Sequence, residues 1–468
     1  MRPGDLYAAL PGASVHGARF VPQAAAAGAA AVLTDADGAA AAEGAGLPAL
    51  VVPHPRGALG RVSAGVYGDP AEALRTVGVT GTQGKTTVTR LLDNGLAAAG
   101  VRAAVIGTVG TRIAGTEVRT ALTTPEAPDL HGLFAAMREQ AVDTCAMEVS
   151  SHALVLGRVD GVVFDVAVFL NLGRDHLDFH ADVEDYYRAK ASLFTPARAR
   201  AALIDIDDEH GRRLAAETIL PVRTVSARGS AADWTAADVA LGPDGSTFTV
   251  HGPDGRRFAA GVPLAGDFNV ANALAAIAAA GEVGLDAAAV AAGIASGAGV
   301  PGRLERVRAE PDPGFPVLVD YAHKPDAVEA VLSTLRPVTA GRLIIVLGAG
   351  GDRDTGKRPL MGELAARGAD LVVVTDDNPR SEDPAAIRAA VLAGATGAGA
   401  AAEVLEVEGR RDAIATALDR ARPGDVVVVA GKGHETGQEI AGVVHPFDDR
   451  LVVAELLAER PGRPDGGR

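Results

Sequence analysis

The stretch TVGVTGTQGKTTVTR, residues 76–90, carries the most specific chemistry in the chain. A β-branched apolar run precedes Gly81 and a helix-forming run follows Thr87, the setting that a phosphate-binding loop requires. Backbone amides of Gly81, Thr82, Gln83 and Gly84 can cradle phosphate oxygens. The Lys85 ammonium can reach the β and γ phosphates, and the Thr86 hydroxyl can join a Mg²⁺ shell, with Thr87 the last residue of the loop. The general spelling of such a loop puts glycine where Val79 stands. A glycine-rich turn that binds no nucleotide is the alternative; the coincidence of strand, loop, lysine, threonine and helix weighs against it.

Two further segments close apolar, strand-like runs. In MEVSSHAL, Glu148 is expected at the C-terminal edge of a sheet, where ligands of α/β proteins gather, and it suits Mg²⁺. In NLGRDHLDFH, His176 could complete a second metal's shell or contact phosphate, a lone structural histidine being the ordinary alternative. Lysine is scarce. Of 44 basic residues five are lysines, Lys85, Lys190, Lys324, Lys357 and Lys432, and each falls in a segment bearing Gly, His or Asp. Chance is one explanation, and a need for an ammonium in place of a guanidinium fork is the other. Lys190, in YYRAKASLF, is either an exposed helix lysine or a cation in a site expected to hold cations already.

Further along, residues 352–358, TDDNPR and AGKGHE stand out. Arg380 offers a fixed guanidinium able to pair bidentately with a carboxylate. A DNPR string alone reads equally as an Asn-Pro turn.

Together these motifs resemble the Mur ligases, the ATP-dependent amino-acid ligases of peptidoglycan precursor synthesis. The resemblance runs from PGDLYAALPG through LTTPE, MEVSSHAL, NLGRDHLDFH, GDFNVANAL, VPGRLE, DYAHKPDA, GGDRDTGKRPLM, TDDNPR and AGKGHE, nearly the whole chain. It implies a three-domain α/β architecture. A small α/β domain at 1–73 would hold the UDP moiety, a central P-loop ATPase domain with a parallel sheet would span 74–300, and a Rossmann-like domain at 301–468 would bind the amino acid. The first domain reads as shortened at its start, because only Met1 and Arg2 precede PGDL, where members carry an Asp-Ser-Arg segment against the uridine.

The resemblance also implies that Lys190 is carbamylated by CO₂ to N6-carboxylysine, an anion that supports Mg²⁺ together with Thr86, Glu148 and His176. Asn269, Arg303 and Asp320 match positions near the adenine and phosphates of ATP, with Tyr321 and His323 adjoining. Thr123, Thr124, Ser150 and Arg158 match positions that hold the UDP-muramoyl dipeptide. Arg353, Asp377, Asn378, Pro379, Arg380, Gly431 and Glu435 match those of diaminopimelate-adding members, with Arg380 on the distal carboxylate and Glu435 on the distal ammonium. Four positions depart from the pattern: Leu170 and Lys324 stand where members usually carry Thr, Gly173 often where Ser, and Leu156 often where Gln. The implied reaction activates the terminal D-glutamate carboxylate as an acyl phosphate, which the diaminopimelate amine then displaces. Domain closure would bring Arg303 over the nucleotide. The expected partners are these small molecules only, and the expected state is a monomer. A folylpolyglutamate synthase shares the loop, the acyl phosphate and the carbamylated lysine, but DNPR and PGDLYAALPG speak against it. A nucleotide-switched binding protein without ligase activity is the other alternative.

Composition narrows the classes. A net charge of −15 argues against a general nucleic-acid binder, and a single cysteine, Cys145, excludes an intramolecular disulfide and multi-cysteine metal sites. Hydrophobic content is 48%, much of it Ala, and the apolar runs are too short to span a bilayer. MRPGDLYAAL has no export or import pattern, so a cytoplasmic protein is expected. To position the motifs, the pattern predicts strands at 49–52, 76–80, 103–106, 144–149, 162–169, 317–320, 343–347, 371–375 and 426–430. It predicts helices over 87–99 and 270–296, and a β-rich segment at 222–264 with turns at the two GPDG sequences.

Overall fold

The structure is a computed structural model that describes residues 1–12, 14–173, 175–176, 179–310 and 312–460. Continuous runs of Val, Ile, Ala and Phe become strands with nearly every residue buried: Arg75–Thr80, Thr144–Glu148 and Phe164–Phe169 in one sheet, and Val317–Asp320, Leu343–Leu347, Leu371–Val374 and Val426–Ala430 in another. Such runs, without alternation, are what helices on both faces of a parallel sheet demand. The chain divides into two compact units, one holding residues 1–235, 251–256 and 274–293, the other 236–250, 257–273 and 294 onward.

In the first unit, Leu6–Ala8, Ala31–Thr34 and Ala49–Val51 pair in parallel as a small sheet. The larger sheet is centred on Arg75–Thr80, which lies between Thr144–Glu148 and Phe164–Phe169, all parallel. Ala103–Ile106 flanks Thr144–Glu148 on one side, and Ala199–Asp205 flanks Phe164–Phe169 on the other. The chain leaves the central strand in one direction and later returns to its other side, so the carboxyl ends around Thr80 form a switch point where ligands collect.

In the second unit, Val317–Asp320, Val426–Ala430, Leu343–Leu347, Leu371–Val374 and Glu403–Glu406 lie side by side in parallel, with Glu305–Val307 antiparallel at one edge. The last of these strands in sequence, Val426–Ala430, inserts between the first two parallel ones, Val317–Asp320 and Leu343–Leu347, and its end at Gly431 faces the same edge as Asp320 and the turn after Val374. A short antiparallel hairpin, Gly437–Ile440 with Val443–Pro446, follows.

The expected strands are all present, with ends shifted by no more than two residues. Helix Lys85–Ala98 begins earlier than expected because Gly84, at φ +88°, caps it in a left-handed conformation closed to side chains. The single helix expected over 270–296 is two, Asp267–Glu282 and Ala287–Ser296. Gly284 turns the chain at φ +80°, and the Asp286 carboxylate accepts from the amides of Ala288 and Ala289, an N-cap inside what reads as one Ala-rich run. Both GPDG segments are turns, after Trp234–Gly242 and before Arg257–Val262. Among the unforeseen strands are the hairpin Thr111–Ile113 with Thr116–Val118 and the edge strands Glu305–Val307 and Glu403–Glu406, each of three or four residues, partly polar and too short for a period to register, and also the longer Ala199–Asp205, whose start is broken by Arg200. Among the described residues no helix is long and apolar enough to cross a membrane.

One half-buried carboxyl makes stability pH-dependent. Asp205 ends a strand beside Asp207 and Asp208, and burial, reinforced by those two neighbours, pushes it up to about 7. A raised carboxyl value means that folding favours the proton. The cost of the charged form is therefore absent below the ordinary carboxylate range and complete above about pH 7. Asp205→Asn is expected to raise the Tm by several degrees at about pH 8 and to change it little at about pH 4, as read by thermal unfolding across pH.

Candidate active site

The phosphate-loop residues gather where the sequence places them. Gly81 follows the central strand, and the Lys85 ammonium folds back to donate to the carbonyls of Gly81 (2.7 Å) and Thr82 (3.0 Å). Lys190 reaches the same place from helix Val183–Ala191. It is 1% exposed, donates to the Gly81 carbonyl at 2.9 Å and sits 4.5 Å over the Tyr186 ring. Burial and then the neighbouring Lys85 charge drive its amine well below the usual lysine value, against a smaller opposing pull from Asp175. The exposed-lysine alternative is thereby excluded. Tyr186 bridges back to the loop through the Thr82 hydroxyl at 3.2 Å, and burial pushes its phenol up to about 12.

Glu148 ends its strand as expected and is 1% exposed. Its Oε1 accepts from the Thr108 amide at 2.7 Å and its Oε2 from the Thr108 hydroxyl at 3.2 Å. His176 adopts φ +54°, with its amide donating to Asp175 at 2.8 Å and its ring 4.9 Å from that of His152. Arg174, Leu177 and Asp178 of the same motif lie outside the described residues. Thr86 is buried at the helix start. Thr86 and Glu148 offer the hard oxygen donors that Mg²⁺ takes, with His176 a third candidate. Among the described residues no cluster of three or more acidic, His or Cys side chains forms a metal cage by itself.

The muramoyl-substrate candidates are joined to this set. Thr123 shares a hydroxyl contact with Thr108 at 3.2 Å, and the Thr124 hydroxyl donates to the Glu148 carbonyl at 2.8 Å and accepts from the Ser150 amide. Ser150 caps helix Ser151–Val155, while Arg158 pairs with Glu126 at 2.8 Å and donates to the Thr124 carbonyl. Two contributors were missed by sequence reasoning. Asn171 clamps Gln83 on both sides, its carbonyl oxygen accepting from the Gln83 amide (2.9 Å) and its amide donating to the Gln83 carbonyl (3.2 Å). Thr108 holds Glu148. The position of Asn171, directly after a strand and inside NLGRDH, was the available signal; Thr108 has none beyond its place after strand Ala103–Ile106.

The remaining candidates lie in the second unit. Asn269 is buried and donates to the Ala265 carbonyl. The Asp320 carboxylate accepts from the amides of Leu304 and Ala322, each at 2.8 Å, and burial raises it above the usual carboxylate value despite the Arg303 charge. The Arg303 guanidinium stacks 4.7 Å over Tyr321, whose ring neighbours His323 and His434. Lys357 donates to the His323 carbonyl at 2.8 Å.

At the strand ends beside these, DNPR is folded onto the hairpin. Arg380 is held at φ +53° by two backbone bonds, its amide to the Glu439 carbonyl (2.9 Å) and the Ala441 amide to its own carbonyl (2.6 Å). Its guanidinium donates to the Gly351 carbonyl at 2.6 Å. The φ of Arg380 lies in a backbone region that residues other than glycine adopt uncommonly. Gly431 has no room for a side chain, since a Cβ would meet the Asp377 carboxylate at 2.3 Å. Asn378 donates to Asp377 (3.0 Å) and Glu435 (2.8 Å) and accepts from Lys432 (3.2 Å) and the Glu439 amide (2.9 Å), so its side-chain amide is fully used inside the protein. Arg353 is exposed.

Three family models match in chain order: Mur ligase family, catalytic domain, over residues 1–67; Mur ligase middle domain, over 79–280; and Mur ligase, glutamate ligase domain, over 302–433. The chain belongs to the Mur ligase family. It is thus an ATP-dependent, ADP-forming ligase of a family that works with Mg²⁺. This Mur ligase is 58% identical, over 99% of its length and 91% of the relative's, to the UDP-N-acetylmuramoyl-L-alanyl-D-glutamate–2,6-diaminopimelate ligase of Streptomyces avermitilis. It is 50% identical to the Corynebacterium glutamicum protein of the same name, over 97% of this chain and 89% of that one. A solved structure of a UDP-N-acetylmuramoyl-L-alanyl-D-glutamate–2,6-diaminopimelate ligase superposes with a TM-score of 0.71 at 36% identity, covering 98% of this chain and 92% of the other.

The Glu148 contacts yield a test. A Cβ at Gly107 would lie 2.3 Å from Glu148 Oε1 and would force the carboxylate aside. Gly107→Ala is expected to lower kcat by about tenfold or more with only a small loss of Tm, as measured by steady-state phosphate release alongside thermal unfolding.

Proposed function

We propose that this Mur ligase adds diaminopimelate to UDP-N-acetylmuramoyl-L-alanyl-D-glutamate. The observation that carries the reading is Arg380, whose backbone is bonded to the hairpin and whose guanidinium is held by the Gly351 carbonyl at 2.6 Å and lies 3.5 Å from the Glu439 carboxylate, beyond the carboxyl end of Leu371–Val374. Diaminopimelate differs from lysine by a carboxylate, and a fixed guanidinium is the group that distinguishes the two. The relatives named above carry this activity in their names.

The domains are assigned as 1–73 for the UDP moiety, 74–300 for ATP and 301–468 for the amino acid. Lys85 and the loop amides neutralise charge as the D-glutamate carboxylate attacks the γ phosphorus, giving an acyl phosphate and ADP. The diaminopimelate amine then attacks the acyl carbon, phosphate leaves with its bonding pair, and the amine gives up a proton. Thr123, Thr124, Ser150 and Arg158 hold the dipeptide end of the UDP substrate. Arg353, Asp377, Asn378, Pro379, Gly431 and Glu435 frame the amino acid with Arg380, Asn378 by fixing Glu435. Asn269, Arg303 and Asp320 serve the nucleotide. Thr86, Glu148, His176 and the Lys190 carbamate would hold Mg²⁺, which would supply charge neutralisation at the phosphates.

Lys190 is assigned as a carbamate. Its lowered basicity favours the neutral amine, whose lone pair attacks CO₂; an N–C bond forms, a C–O π pair moves to oxygen, and the amine proton leaves to solvent. The product is an anion beside Lys85, so repulsion becomes attraction. The enzyme is assigned as a monomer, and the ATP requirement supports a cytoplasmic site of action.

Phosphate release dependent on the UDP-dipeptide is expected with diaminopimelate, with lysine at least about a hundredfold less efficient, and none with a folate. Arg380→Ala is expected to bring the two amino acids within about tenfold of each other in kcat/KM. Equal use of lysine by the wild type would refute the assignment. For Lys190, ¹³CO₂ labelling should give a carbamate carbon signal that disappears in Lys190→Met; an unlabelled active enzyme would exclude the modification.

A further inference from the structure

Lys432 is one of five lysines among 44 basic residues, it is 0% exposed, and the reaction as assigned makes no use of it. Its ammonium has three donors and meets three acceptors: the Asn378 side-chain oxygen at 3.2 Å, Glu435 Oε2 at 3.2 Å and the Gly437 carbonyl at 2.5 Å. Asn378 in turn donates to the same Glu435 oxygen at 2.8 Å. Glu435 Oε2 is thereby gripped by a cation and an amide, while the side chain as a whole remains 32% exposed. A guanidinium could not replace the lysine here, because its five N–H groups in one plane would leave buried donors without acceptors.

We infer that Lys432 is a positioning residue that holds Glu435 for the distal ammonium of the incoming amino acid, and so helps to set amino-acid selectivity. The inference rests on the assignment of Glu435 made above. Gripping one oxygen orients the carboxylate and leaves the other directed to the substrate. The Lys432 charge also offsets a second acidic group close by, since Asn378 ties Glu435 to Asp377 through bonds of 2.8 and 3.0 Å. Without Lys432, the Asn378 oxygen and the Gly437 carbonyl lose a buried donor, and Glu435 is left with the Asn378 amide as its one hold.

The test compares diaminopimelate with 2-aminopimelate, which keeps the reacting amine and the distal carboxylate but lacks the distal ammonium. The ratio of their kcat/KM values reports the ammonium contact alone. In Lys432→Met the ratio is expected to fall by about tenfold, mostly through a higher KM for diaminopimelate, while the KM for ATP stays within about twofold of wild type. Glu435→Gln should collapse the same ratio. A ratio unchanged in Lys432→Met but collapsed in Glu435→Gln overturns the positioning role. A ratio unchanged in Glu435→Gln overturns the assignment of Glu435 and this inference with it. If Lys432→Met does not fold, Lys432→Gln, whose amide still donates to the Gly437 carbonyl, is read by the same ratio against the same outcomes.

Discussion

Two amines, Lys85 and Lys190, donate to one carbonyl oxygen, that of Gly81, at 2.7 and 2.9 Å. Each cation disfavours the other, and burial disfavours the charge on Lys190 most. The repulsion is relieved if one amine gives up its charge or an anion enters between them, and the proposed function supplies both, a carbamate on Lys190 and the phosphates of ATP. Much of the first unit serves to keep this pair in place. The central strand delivers Gly81, the left-handed Gly84 starts the helix that carries Lys85, and helix Val183–Ala191 brings Lys190 onto Tyr186, which is itself bonded to Thr82.

The same economy of position governs the second unit. Its side chains do little alone and much through the groups that fix them: Asn378 spends its whole amide on protein partners, and Arg380 is held by backbone bonds in a conformation that few residues other than glycine adopt. Arg410 and Asp449, both fully buried, brace the floor beneath, with Arg410 donating to the carbonyl of Ala430 just before Gly431. A site of this kind is set by its supports as much as by the groups that would touch substrate.

Much of this was legible before the structure. Long apolar runs specify buried parallel strands because only that environment tolerates them, and the strands at 317–320, 343–347 and 426–430 are found at the expected residues. The place of Glu148 was readable because it ends such a run, and that of Arg380 because it sits in the turn beyond one. What stayed hidden depends on contacts distant in sequence. Asn171 reaches Gln83 across 88 positions and Thr108 reaches Glu148 across 40, and neither pairing leaves a local pattern. The break at Gly284 was hidden for the opposite reason, since the alanines on both sides are excellent helix formers and outweighed one glycine in a composition-based reading.

The hairpin Gly437–Pro446 has a consequence for how selectivity is maintained. It supplies the acceptor for Lys432 and the backbone partners of Arg380, yet it is a two-stranded ribbon whose outer strand is exposed along its whole length. A ribbon of that size does not persist by itself in water. In the proposed site the wall that tells one amino acid from another therefore owes its order to the contacts the hairpin makes with Lys432 and Arg380. Affinity there would report the stability of that wall as well as the fit of the ligand.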